Sequence, residues 1–213
     1  MRRGEFININ AFAILGISLF PFQSLNQTLI KDFLIGKNNP YLTADRLMHK
    51  TAYKAYLKMH QEALKDDIDI RIVSGFRSFE RQLAIWNKKF KTFKNQGLSG
   101  EDIIKKITTY STIPGTSRHH WGTDIDIIDA SAVQPDEGLL LEENYHGNDT
   151  YCKLHEWMQT HAHKFGFYMA YTDNYHRTGF AYEPWHYSYK PLSVDYLKAY
   201  EKINLYDVLR SEN

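Results

Sequence analysis

The segment 123–128 constrains this chain more than any other. It alternates, with Ile125 and Ile127 on one face and Asp124 and Asp126 on the other. A period of two is the signature of a strand whose two faces differ. Helical segments that can cover its apolar face lie on both sides of it in sequence. Over 43–64, apolar residues recur at helical spacing (Leu47, Ala52, Tyr53, Tyr56, Leu57, Met59, Ala63, Leu64), with Thr43 and Asp45 as expected caps. Residues 69–74, β-branched at Ile70, Ile72 and Val73, form a second expected strand that Gly75 breaks. Ser78 opens a helix to about Phe93, carrying Leu83, Ile85, Trp86 and Phe90; its basic stretch 88–94 reads as a solvated helix end. Ser99 caps a short helix through Ile107, and 114–117 is a turn-rich loop. Leu154, Trp157, Met158 and Ala162 give a helix over 150–165 that Gly166 ends. Residues 167–171 and 181–189 read as two more strands, and 194–206 as the last helix. This order predicts an α+β fold, with helices flanking a small, mainly antiparallel sheet.

At 213 residues, the chain suits one domain with a substantial core. We expect that domain over 28–213. Arg2 and Arg3 precede an apolar run from Ala11 to Phe20, which resembles a secretory signal over 1–27 and points to export. The alternative is an N-terminal apolar segment buried in the fold or lying near a membrane; the run is short for a span. The formal net charge of +1 gives no electrostatic footprint for nucleic acid. The single cysteine, Cys152, excludes an intramolecular disulfide and Cys-rich zinc fingers, and reads as a small buried hydrophobe. Fifteen Tyr and four Trp suit both a core and a polar cleft.

Two short motifs concentrate histidine beside acid: Ser117-Arg118-His119-His120-Trp121-Gly122-Thr123-Asp124-Ile125-Asp126, and Glu183-Pro184-Trp185-His186-Tyr187. Imidazole and carboxylate are good Zn²⁺ donors, and a catalytic site uses three protein ligands with one position open. His119, Asp126 and His186 would supply that set for one ion. Gly122 lets the chain turn between the His119 loop and the Asp126 strand. Hydrolysis also needs a group that takes a proton from water and passes it to the leaving amine. Glu183 is the candidate; its alternative role is to hydrogen-bond a ligand histidine. On a flat strand Glu183 and His186, three apart, would face opposite ways; Pro184 cannot donate to a ladder, which implies an edge, a strand end or a bulge that could bring both side chains to one site. Arg77, in the turn after the second strand, is the candidate for holding a carboxylate or developing oxyanion. Its alternative is a surface residue at the following helix.

Together, Ser117-x-His119-x-x-Gly122-x-x-x-Asp126, Glu183-x-Trp185-His186 and Ser74-Gly75-Phe76-Arg77-Ser78-x-x-x-Gln82 resemble the zinc D,D-carboxypeptidases of the vancomycin-resistance type. That family shares a superfamily with lysostaphin-type peptidases and hedgehog domains. The resemblance runs from about Leu34 to Tyr189. It implies a D-Ala-D-Ala-peptidase-like fold and Zn²⁺ on His119, Asp126 and His186. It also implies Glu183 as base, Arg77 at the substrate or transition state, and Ser117 and Gln82 lining the substrate site; Trp185 joins these as a candidate contact. The implied substrate is the peptidoglycan stem peptide, cut at its terminal D-alanine. An L,D-carboxypeptidase, a cross-link endopeptidase or a non-catalytic zinc/peptide-binding domain are the alternatives. The family usually has alanine where this chain has Asp124, which leaves open which aspartate ligates and whether Asp124 serves instead as an acceptor behind the metal. His120 and Trp121 also depart from the commonest family residues, from which a different specificity pocket is expected.

Overall fold

A computed structural model describes residues 28–210. The expected signal or apolar segment at 1–27 lies outside them. Among the described residues no helix is long and apolar enough to cross a membrane.

Four strands form one antiparallel sheet: β1 (Ile70–Ser74), β2 (Asp124–Asp129), β3 (Phe167–Met169) and β4 (His186–Tyr189), in spatial order β1-β2-β4-β3. The fold is thus α+β, as the alternating segments predict. Around the sheet lie α1 (28–34), α2 (Lys50–Ala63), α3 (Phe79–Asn95), α4 (Gly100–Thr108), α5 (Cys152–His161), α6 (Lys190–Tyr200) and α7 (Leu205–Arg210). The main core joins Ala52, Tyr56, Met59 and Ala63 of α2 to Ile125 and Ile127 of β2 and to Leu154, Trp157 and Met158 of α5. A second cluster packs Phe33, Leu34 and Trp121 against Tyr196, Ala199, Tyr200 and Ile203.

Local chemistry sets most of the boundaries. Ser78 and Ser99 cap α3 and α4 by accepting from Arg81 N and Asp102 N. Gly166 ends the α5 region at φ 84°. Three expected boundaries move. The helix expected from Thr43 begins only at Lys50. Thr43 and Asp45 spend their side-chain oxygens on Leu47 N, and Arg46 takes φ 58°, so these residues form a turn, while the His49 ring caps α2 through Thr51 N. The strand expected over 181–189 is a strand only from His186. The helix expected over 194–206 starts at Lys190, where Pro191 sits in the first turn, and breaks before α7. Cys152 is half-exposed at the start of α5 rather than buried, and its Sγ donates to Gly147 O at 2.9 Å.

Pairing register builds the site. Ser74 of β1 pairs with Asp126, and Asp126 pairs with His186 of β4. Two residues along, Asp124 pairs with Ser188, which pairs with Tyr168 of β3. Two parallel rows of polar side chains therefore cross one face of the sheet, and Ile125 and Ile127 point to the core on the other.

Candidate metal centre

His119 reaches the first row from a 3-10 turn, Arg118–Trp121. Ser117 caps that turn, its Oγ accepting from His119 N at 3.3 Å. Gly122 ends it at φ 71°; a Cβ there would meet Leu42 Cδ2 at 2.8 Å and His49 N at 3.0 Å. The chain then enters β2 two residues before Asp126. The sharp turn expected at Gly122 is present.

The parity problem at Glu183 has a simple resolution. Residues 183–185 are a turn rather than a strand: His186 N donates to Glu183 O at 3.1 Å, and Glu183 N donates to Tyr171 O at 3.0 Å. The turn brings Glu183 Oε2 within 3.1 Å of His186 Nδ1.

One donor atom each from His119, Asp126 and His186 lie within 4.8 Å of one another, all buried. His119 Nδ1 contacts Gly75 O at 2.8 Å, and a carbonyl only accepts, so the proton sits on Nδ1. Nε2 is then the ring atom turned to the cluster, 3.3 Å from Asp126 Oδ2. His186 is similar. Its Nε2 donates to Asp124 Oδ1 at 2.9 Å, while Nδ1 lies 3.3 Å from Asp126 Oδ1 and 3.1 Å from Glu183 Oε2. Asp126 Oδ1 is buried without a hydrogen-bond partner among the described residues. Burial works against charge on His186, yet Asp124, Asp126 and Glu183 push its pKa well above the ordinary value. Burial likewise opposes ionised Asp126, but His119 and His186 hold it below the usual carboxylate range. The cluster calls for a cation at its centre, and two imidazoles with one carboxylate fit Zn²⁺. The geometry also separates the two aspartates: Asp126 faces the cluster, and Asp124 lies behind His186.

Arg77 borders the same cluster, its Nη2 4.0 Å from Asp126 Oδ2. Nη1 donates to Gln82 Oε1 at 2.8 Å and Nη2 to Ser74 Oγ at 2.9 Å. Burial lowers its pKa, against the pull of Asp126 and Glu183. The alternative of a surface residue does not apply.

These groups open into a narrow cleft lined by Arg77, Ser117, His119, Glu183 and His186. Two expected substrate contacts lie elsewhere. Gln82 is fully buried, donates to Thr112 O at 2.6 Å and braces Arg77 from behind. Trp185 is in the core, its ring 5.8 Å from that of Tyr145, where the turn before β4 directs it. His120 and Trp121 also turn from the cleft. His120 Nδ1 contacts Arg77 O at 2.6 Å and its Nε2 accepts from Gly115 N, while Trp121 Nε1 donates to Leu34 O. The cleft wall that sequence reading missed is Tyr110, Ser111, Thr112, Tyr171 and Phe180. Tyr171 packs edge-on against His186 at 4.7 Å. Only the general abundance of aromatic residues hinted at it.

Two imidazoles and a carboxylate around one point, with a further carboxylate and a guanidinium beside them, define a metallopeptidase type of centre on an antiparallel sheet. The chain belongs to the VanY D-alanyl-D-alanine carboxypeptidase family, whose pattern matches residues 45–192. It is 33% identical over 145 residues to a Bacillus subtilis protein provisionally named carboxypeptidase YodJ, covering 68% of this chain and 46% of that one. It is 30% identical over 119 residues to a D-alanyl-D-alanine carboxypeptidase of Enterococcus faecalis, covering 55% and 39%. The chain thus spans less than half the length of either relative. Among solved structures, VanYB in complex with D-alanine-D-alanine shares the fold at TM-score 0.56, 23% identity and coverage of 81% and 88%. A VanY D,D-pentapeptidase variant in complex with Zn(II) does so at TM-score 0.55, 23% identity and coverage of 76% and 83%.

Proposed function

We propose that this chain is a zinc-dependent D,D-carboxypeptidase that removes the terminal D-alanine from peptidoglycan stem peptides. The observation that carries this reading is the meeting of one donor atom each from buried His119, Asp126 and His186 within 4.8 Å of one another, beside Glu183 and Arg77. When bound there, Zn²⁺ supplies Lewis-acid polarisation of the scissile carbonyl and acidifies water.

The protein's own groups divide the remaining work. Glu183 Oε2 takes the proton from water and passes it to the leaving amine. Arg77 has two of its N–H groups committed to Gln82 and Ser74, which fixes the guanidinium beside the cluster. Its remaining donors bind the free carboxylate of the peptide terminus, which suits an exopeptidase. The ring of Tyr171 and that of Phe180, 5.6 Å apart, wall the cleft and exclude water. The E. faecalis relative is named for D-alanyl-D-alanine carboxypeptidase activity, and VanYB is solved in complex with D-alanine-D-alanine. We place the reaction in the bacterial cell envelope; the apolar run from Ala11 to Phe20 supports this location.

Zinc-loaded protein incubated with purified tetrapeptide and pentapeptide stems tests the reading by fragment mass. Loss of one alanine from the pentapeptide alone is the expected result. Cleavage of the tetrapeptide instead would assign L,D specificity. Release of D-alanine from neither would remove the carboxypeptidase reading.

A further inference from the structure

The second polar row, Asp124–Ser188–Tyr168, has no part in the chemistry described so far. Asp124 is fully buried, yet four groups donate to it. Its Oδ1 accepts from Arg118 Nε at 2.7 Å and from His186 Nε2 at 2.9 Å. Its Oδ2 accepts from Thr123 Oγ1 and Ser188 Oγ, each at 2.8 Å. Arg118 is itself anchored, with Nη2 donating to Ser188 Oγ at 2.7 Å and Tyr168 Oη at 3.0 Å. Its guanidinium also lies 4.9 Å above the Trp121 ring. A buried carboxylate without such partners would be strongly unfavourable. Here Arg118 neutralises it, and three strands and one turn hold it in place.

We propose that Asp124, neutralised by Arg118, is a positioning residue that presents His186 to the metal through Nδ1. The inference rests on the metal-site reading above. Asp124 can only accept from His186, so Nε2 keeps its proton and Nδ1 is left as the donor atom. The pair of hydroxyls on Oδ2 fixes the carboxylate's rotation, and so the plane of the imidazole. Charge on Asp124 also makes His186 a stronger donor than a neutral acceptor would. Arg118 lets that charge exist in the interior. The arrangement differs from the other histidine, which a main-chain carbonyl orients.

The test compares the full chain with Asp124→Asn and with the double variant Arg118→Met/Asp124→Ala, which removes both buried charges at once. Zinc affinity is measured by competition with a chromophoric chelator, and the visible spectrum is recorded with Co²⁺ in place of zinc. The double variant is expected to bind zinc about 10- to 100-fold more weakly, with Asp124→Asn weakened less. The Co²⁺ bands are expected to shift in both. Unchanged affinity and unchanged bands overturn the proposal, even where chelator-treated variants melt at a lower temperature. Should the double variant fail to fold, Asp124→Asn decides by the same two readouts. His119→Ala separates the two levels. If it releases zinc while the Asp124 variants bind normally, only the positioning role fails. If it keeps zinc, the metal-site reading fails.

Discussion

The two polar rows on one face of the sheet are built from similar residues and behave oppositely. Around Asp124 each acceptor meets a donor, and the charge is neutralised by Arg118. One row over, ring nitrogens of His119 and His186 converge on the carboxylates of Asp126 and Glu183, and Asp126 Oδ1 has no hydrogen-bond partner among the described residues. Buried polar groups that satisfy each other belong to the fold. Those that converge unsatisfied wait for something the protein must bind. The difference locates the chemistry without reference to any ligand.

The comparison can be broken at several points. Glu183→Gln keeps the shape of the converging row but removes its base. Activity should fall by about 10²- to 10⁴-fold, with zinc content unchanged; full activity would restrict Glu183 to hydrogen-bonding His186. Arg77→Met removes the guanidinium at the edge of the same row. A loss of about 10²- to 10³-fold in kcat/KM is expected, and an unchanged value would return Arg77 to a structural role. Trp185→Phe probes a residue that belongs to the satisfied, core side. It should lower unfolding stability by part of the about 3–5 kcal/mol that deleting a buried Trp ring costs, and leave KM for the peptide alone. A raised KM at unchanged stability would put the ring back in the cleft.

The smallest effect concerns pH. Burial lowers the His120 pKa to about 4, against the hydrogen bond to Arg77 O. The folded ring therefore stays neutral where the unfolded one, at about 6.5, takes up a proton. Stability contributed by the neutral ring is complete above pH 6.5 and is lost as pH falls from 6.5 toward 4, by up to about 3 kcal/mol. Urea unfolding of the chelator-treated protein at pH 7 and pH 5 measures it. His120→Gln should flatten this difference, and an equally steep loss in the variant would assign it to other groups.

Much of this was legible in the sequence where the signal is local. Ser78 and Ser99 cap their helices because a hydroxyl needs only the next turn to bond. The alternation of 123–128 put both aspartates on one face, and the two histidine motifs held the converging donors. What was hidden depends on partners distant in sequence. Glu183 and His186 share a side only because Tyr171 O and Pro184 shape a turn before β4. Gln82 and Trp185 stand in site motifs but face inward, and no local pattern says which way a side chain at a strand end or first helical turn will point. Arg118 is an unassigned position between two motif residues, and its contacts appear only once β3 and β4 lie beside it.

The carbonyl of Gly75 orients His119, and a Cβ on Gly75 would come within 2.2 Å of Leu47 O. One metal donor is thus aimed by main chain in a place where side chains are sterically barred. The other is aimed by Asp124, a side chain open to replacement. Mutational drift can retune the second histidine by single substitutions, whereas the first is insulated from them. Variation in metal affinity among descendants of this chain should therefore arise on the His186 side of the site.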